Sequence, residues 1–242
     1  MSREQRGTSH GKGIQRHSRP RRLGGRLQLG QGHRAVAVQG LNALAAPIPL
    51  TSLSDDIAAL ERALARTDGP VVLVGHAYAG AVIGASLNER VRSLVFIAAL
   101  APDEGEAVGE LFYREKPHPK APQLAPDAHG LVWLPDGAFG AAFCQHASPE
   151  QAALLAAVQR PIAVACIQDK APRPSWETKP SWYLVAREDR MISPVTQVFL
   201  AERMGAQIRS EAVDHTPLVT APDLVVETIL HAATSSAPSP SS

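Results

Sequence analysis

The chain of 242 residues is long enough to bury one α/β domain and short for two. Its 45% apolar content is that of an ordinary globular protein, and a net charge of +1 leaves no global field to draw in nucleic acid or an anionic membrane. No apolar run reaches the ~20 residues that span a bilayer, no leader-like apolar stretch follows the start, and the lone cysteines Cys144 and Cys166 make neither a disulfide framework nor a metal site.

The expectation is therefore a cytoplasmic monomer or homodimer, free of cofactor and metal, that engages neither nucleic acid nor membrane. Residues 1–34 carry nine Arg or Lys against the single acid Glu4. They lack the aromatics that stack bases and the amphipathic face of a transit peptide, so residues 1–26 are expected to be a disordered Arg-rich segment. Ala35–Gln39 is the first strand candidate. Thr51–Arg66 reads as a helix, capped by Ser52 with Asp55 three residues on, and striped by Leu53, Ile57, Leu60 and Leu64. Val71-Val72-Leu73-Val74 is a continuous apolar run, as expected of a strand covered on both faces. A small-residue turn leads to a helix over Tyr78–Asn88 and a second buried strand over Val91–Leu100. Strand, helix and strand in this order predict a parallel sheet with helices on both faces.

From Ala101 to Lys179 the pattern breaks, with prolines at 117, 119, 122, 126 and 135. One clear helix is capped at Ser148, has Pro149 in its first turn and runs to about Val158. Pro161–Gln168 predicts a further helical turn. The insertion, about 103–179, reads as a small cap over the C-terminal edge of the sheet. The sheet resumes at Trp182–Ala186. A helix follows with Ser193 as cap and Pro194 in its first turn, ending at Gly205. Gln207–Val213 is the last strand, and Thr220–Asp223 starts a helix to about Ala233. The main domain is thus 27–233, followed by a Ser/Pro-rich tail over 234–242 that is expected to be disordered.

The pentad Gly75-His76-Ala77-Tyr78-Ala79 closes a buried strand and opens a helix. A sharp, strained turn in that context is a nucleophile elbow, which needs small residues two before and two after its centre. Gly75 and Ala79 meet that need, and Gly80 adds room. The centre is Ala77, which has no lone pair and forms no acyl-enzyme. Asp189 lies just after the strand Trp182–Ala186 and His215 just after Gln207–Val213. A lone post-strand Asp or His is ordinarily a loop residue, but nucleophile position, acid and histidine in this order form the layout of a triad. His76, next to the elbow centre, is a candidate oxyanion or substrate-binding residue, although packing is its more ordinary role. Trp133 and Trp176, like His118, His129 and His146, are cap residues that a ligand would touch, although each alone is more ordinarily surface or packing. No His-x-x-x-His or Cys-x-x-Cys pair and no phosphate or dinucleotide glycine loop occurs, and Cys144 has no fixed place near the elbow.

Val71–Gly80, Val91–Glu106, Pro180–Pro194 and Val213–His215 resemble the small bacterial α/β-hydrolases related to plant esterases and hydroxynitrile lyases, over roughly residues 30–233. The resemblance implies an α/β-hydrolase fold, a mostly parallel sheet flanked by helices with a small cap. It also implies that Asp189 orients His215, that His215 is the general base, and that the Tyr78 N–H supplies half of an oxyanion hole. The chain departs from the pattern twice. Serine is replaced by Ala77, and no strand ending in a His-Gly loop, the source of the second oxyanion N–H, is found in residues 1–34. Leu27–His33 resembles the end of the family's first helix and Ala35–Gln39 the strand after it. The N-terminal strands are therefore expected to be missing, the absent one belonging between Ala35–Gln39 and Val71–Val74 at a cost in unmet backbone hydrogen bonds. Residues 1–26 are accordingly read as the product of a shifted frame or a wrong start.

Three functional readings remain. The first is a serine-less enzyme in which His215, backed by Asp189, activates water or moves a proton on a small apolar substrate. The second is a pseudoenzyme that binds a small apolar molecule between sheet and cap. The third is a serine esterase carrying an artificial Ala77. Position 79 is alanine as well, which a serine knock-out does not require, and this favours a natural sequence.

Overall fold

A computed structural model describes residues 41–235; the Arg-rich start, the strand candidate Ala35–Gln39 and the place expected for a missing strand lie outside the described residues. Helix α1, Leu53–Leu64, starts where Ser52 Oγ accepts the Asp55 N–H at 3.0 Å. The Asp55 carboxylate in turn accepts the Thr51 hydroxyl at 2.8 Å. The buried face of α1 is Leu53, Asp56, Ala59, Leu60, Ala63 and Leu64, so Asp56 takes an inward place while Ile57 is only partly buried.

Strand β1, Val71–His76, leads through the elbow to the short helix α2, Ala79–Gly84. The helix stops short of the expected Asn88. Ser86 and Asn88 direct their side chains to Glu61 of α1, and Asn88 Oδ1 also accepts the Arg90 N–H, which gives the chain a local alternative to helical bonds. Strand β2, Val91–Ile97, ends before the expected Leu100 because Ala98 turns left-handed, with φ of 43°. Two further strands follow the insertion, and two short ones lie within it. Strand β5 is Ser181–Ala186 and β6 is Gln207–Glu211; β6 ends before Val213, whose N–H turns back onto the Glu211 carbonyl. The four long strands run parallel in the order β1-β2-β5-β6.

Alternation along the strands divides the core into two layers. Leu94, Phe96, Tyr183 and Val185 face α1, α2 and helix α7, Pro194–Arg203. Val95, Ile97, Trp182 and Leu184 face the last helix, α9, Pro222–Ser235, which follows the single turn α8, Pro217–Thr220. That helix extends past the expected tail boundary, with the Thr234 hydroxyl bonded to the Leu230 carbonyl.

The insertion is more ordered than its prolines predict. It holds α3, Val108–Phe112; an antiparallel pair of β3, Leu131–Val132, with β4, Ile162–Ala163; the turn α4, Asp136–Ala138, running into a π-helical segment, Phe139–Phe143; and α5, Pro149–Ala157. The expected helical turn over Pro161–Gln168 begins as strand β4 and becomes helix only in α6, Val164–Gln168. No helix among the described residues is long and apolar enough to cross a membrane.

The tightest packing lies under the elbow. A Cβ on Gly80 would stand 2.4 Å from the Leu100 carbonyl oxygen and 2.8 Å from Ala99 Cβ. Gly80→Ala is expected to cost about 1–3 kcal/mol by overpacking. Gly137→Ala, with nothing within 4 Å of the added methyl, should change stability by less than about 0.5 kcal/mol. Urea unfolding of the pair tests this; equal effects would contradict the elbow as the point of tightest fit.

Candidate active site

The elbow forms because the β1 chain must reverse within a few residues to enter α2. Ala77 takes a left-handed conformation, φ of 51°, that L-residues adopt at a cost. Gly75 lets the turn close: a Cβ there would meet the Ala79 carbonyl oxygen at 2.7 Å. The Ala77 carbonyl accepts both the Gly80 and the Leu100 N–H, and its own N–H points to Ile97. The Tyr78 N–H stands at the start of α2, where the helix offers no acceptor for it.

The Tyr78 side chain leaves the elbow toward α1. Its hydroxyl donates to Asp56 Oδ2 at 2.9 Å, and burial, then Cys166 and Asp56, raise its pKa and keep the phenol protonated. Asp56 is fully buried; its other oxygen accepts the Leu50 N–H at 2.7 Å, and Cys166 of α6 donates its thiol from 3.7 Å. One carboxylate thus joins the segment before α1, the elbow and the cap.

Asp189 and His215 meet at the C-terminal ends of β5 and β6. His215 Nδ1 lies 2.8 Å from Asp189 Oδ2, and both residues are buried. Asp189 Oδ1 accepts the Met191 and Ile192 N–H groups at 2.7 and 2.9 Å. Gln197 of α7 donates to Oδ2 at 2.7 Å, while its own Oε1 accepts the Ala186 N–H. His76 Nε2 is 2.6 Å from the His215 carbonyl oxygen, an acceptor only, so this nitrogen carries the proton. The His76 ring lies 4.8 Å from that of His215, and burial, then His215, hold its pKa down to about 3.

The cap is tied to both loops of the pair. Phe143 packs edge-on against His215 at 5.2 Å, and its carbonyl accepts the Thr216 hydroxyl. His146 offers its N–H to the buried Asp214 and its ring to Glu188, Gln145 donates to the Glu188 carbonyl, and Arg190 donates to the Ala141 carbonyl. These contacts lay the π-helical segment over the C-terminal edge of the sheet.

The structure therefore brings together Asp189, His215 and His76, with Phe143 as a ring neighbour that no sequence pattern singles out. Trp176 is buried in the main core cluster, where a Cβ on Gly84 would stand 3.5 Å from its ring. Trp133 stands 44% exposed with its indole N–H donated to Asp127. Cys144 is buried and donates to the Phe139 carbonyl; burial, then Asp214, push its thiol up to about 11, which keeps it protonated at neutral pH. Asp56 and Gln197 escape a reading of the sequence, although each is a polar residue on an apolar helical face. Among the described residues no group of three or more His, Cys, Asp or Glu could hold a metal ion.

A family model described as "Alpha/beta hydrolase family" matches residues 15–228. No curated protein sequence matches the chain. Among solved structures, a polyneuridine aldehyde esterase superposes with a TM-score of 0.72 at 18% identity, covering 87% of this chain and 95% of its own. A pyrethroid hydrolase from Sphingobium faniae JZ-2 gives 0.69 at 16% identity, covering 85% and 92%. A methylesterase from Arabidopsis gives 0.63 at 17% identity, covering 86% and 92%.

His76 makes the fold sensitive to acid. Its pKa falls from 6.5 to about 3 on folding, so the unfolded chain binds a proton that the folded chain refuses until far lower pH. That contribution is present above the unfolded value and is lost as pH falls through the window between the two. His76→Gln, which keeps a donor for the His215 carbonyl, should flatten the fall in urea midpoint between about pH 7 and pH 4. Parallel pH profiles for the two proteins would rule out His76 as the source.

Proposed function

The chain belongs to the α/β-hydrolase family, and from that premise we propose that its His215–Asp189 pair works as a general base without a serine, on a small, mainly apolar ester. The observation that carries this reading is the 2.8 Å bond between His215 Nδ1 and Asp189 Oδ2 in a buried place. With Nδ1–H held by the carboxylate, Nε2 is the basic nitrogen, and among the described residues no hydrogen bond engages it. Ala77 leaves room for water where the family pattern has a hydroxyl. His215 Nε2 takes a proton from that water as its oxygen attacks the ester carbonyl, and returns the proton to the departing alkoxide. The Tyr78 N–H, without an acceptor in its own helix, receives the carbonyl oxygen as it gains charge. The names of similar structures, an esterase, a methylesterase and a pyrethroid hydrolase, support an ester as the substrate class.

Ala77 itself favours a second reading, a binder of small apolar molecules that has lost catalysis. Hydrolysis of a short-chain aryl ester by the chain as it stands, by His215→Ala and by Ala77→Ser separates the two. Slow hydrolysis by the unaltered chain is expected, falling about 100-fold or more in His215→Ala. Activity that survives His215→Ala, or that arises only with Ala77→Ser, rejects the serine-less base; an ester that binds but is turned over by none of the three supports the binder.

A further inference from the structure

We propose that Gln197 is the positioning residue of this site: it fixes the Asp189 carboxylate so that Oδ2 faces His215 Nδ1. The proposal rests on the His215–Asp189 reading above. Gln197 is fully buried on α7, and each end of its amide is engaged. Nε2 donates to Asp189 Oδ2 at 2.7 Å and to the Ile192 carbonyl at 3.0 Å, and Oε1 accepts the Ala186 N–H at 2.9 Å. One side chain therefore joins the end of β5, the acid, and the loop that follows it.

The carboxylate has two donors on each oxygen. The Met191 and Ile192 N–H groups hold Oδ1, and Gln197 and His215 share Oδ2. Without Gln197, His215 alone would hold the second oxygen, and the plane of the carboxylate would be free to turn away from it. A neutral amide suits this place because it donates to the acid and accepts from Ala186 at once. An ionised carboxylate at position 197 accepts from Ala186 and cannot donate; a protonated one does both.

This difference yields a test that a purely structural role does not move. The titratable groups facing position 197 are Asp189 and, beyond it, His215, with the Tyr183 phenol near Asp189 and already engaged by Ala99. The other partners of Gln197 are backbone groups of Ala186, Ile192 and Ser193. The readout is the downfield proton resonance of His215 Nδ1–H, assigned by its loss in His215→Gln and followed with pH in the native chain, Gln197→Met and Gln197→Glu. The expected result is loss of the resonance in Gln197→Met, and in Gln197→Glu a native-like resonance at acid pH that disappears as pH rises and the second carboxylate ionises beside Asp189. A native resonance in a folded Gln197→Met protein overturns the proposal. So does a Gln197→Glu protein that follows the native chain at every pH, or one that stays unfolded at an acid pH where the native chain is folded, since the protonated replacement is isosteric and still donates to Asp189. The measurement needs no turnover, so a chain that hydrolyses no ester yet shows the switch refutes the hydrolytic reading and leaves Gln197 in its role.

Discussion

Much of this molecule follows from one tight crossing, where the chain leaving β1 turns into α2 directly beneath the end of β2. Gly80 meets Leu100 so closely that no side chain fits between them, and Gly75 meets the Ala79 carbonyl in the same way. With both glycines fixed by contact, the turn between them has little choice of backbone angle, and Ala77 is held left-handed at a cost of order 1–3 kcal/mol. The surroundings sustain it. The Ala77 carbonyl is bonded from two sides, Ala98 also turns left-handed, and the Tyr183 hydroxyl bridges the N–H and the carbonyl of Ala99 alongside. A strained turn persists where its neighbours over-determine it, and here they do so with alanine in the central place.

The crossing places Ala77 at the C-terminal edge of the sheet, and the same edge receives the loops that follow β5 and β6. Since parallel strands deliver their C-terminal ends to one side, Asp189 and His215 come into reach of each other without any contact between them in sequence. The cap then covers that edge through bonds to both loops, and Asp56 connects cap to elbow from below. His76, at the end of β1, holds the His215 backbone, so the strand that makes the elbow also sets the histidine.

How much of this is legible in the sequence depends on whether the deciding force is local. The elbow is legible because small residues at set spacings after an apolar run fit few other turns. Asp189 and His215 are legible from their position after strands. Gln197 is not: a glutamine inside a helix has no local signature, and its meaning comes from Asp189, eight residues away across a loop. Asp56 is hidden beside Asp55, which has the commoner role near a helix start, and only the stripe of Leu53, Leu60 and Leu64 around it hints at an inward carboxylate. The strand ends at Ile97 and Glu211 are overrun because the apolar pattern continues past them, whereas the backbone turns on a positive φ at Ala98 and a reversed bond at Val213. The two tryptophans stand out as ligand contacts on composition alone; Trp176 is taken by the core, where an indole buries a large apolar area.

Three carboxylates, Asp56, Asp189 and Asp214, are buried, and among the described residues none pairs with Lys or Arg. Each is instead surrounded by neutral donors: backbone N–H groups for all three, with hydroxyls at Asp56 and Asp214 and an amide at Asp189. Even Arg190, the next residue after Asp189, sends its guanidinium to the Ala141 carbonyl of the cap. Neutral donors fix a carboxylate in place without cancelling its charge, whereas a cation bonded to Asp189 would hold it equally well and offset that charge. The geometry around Asp189 is thus one that keeps its charge directed at His215.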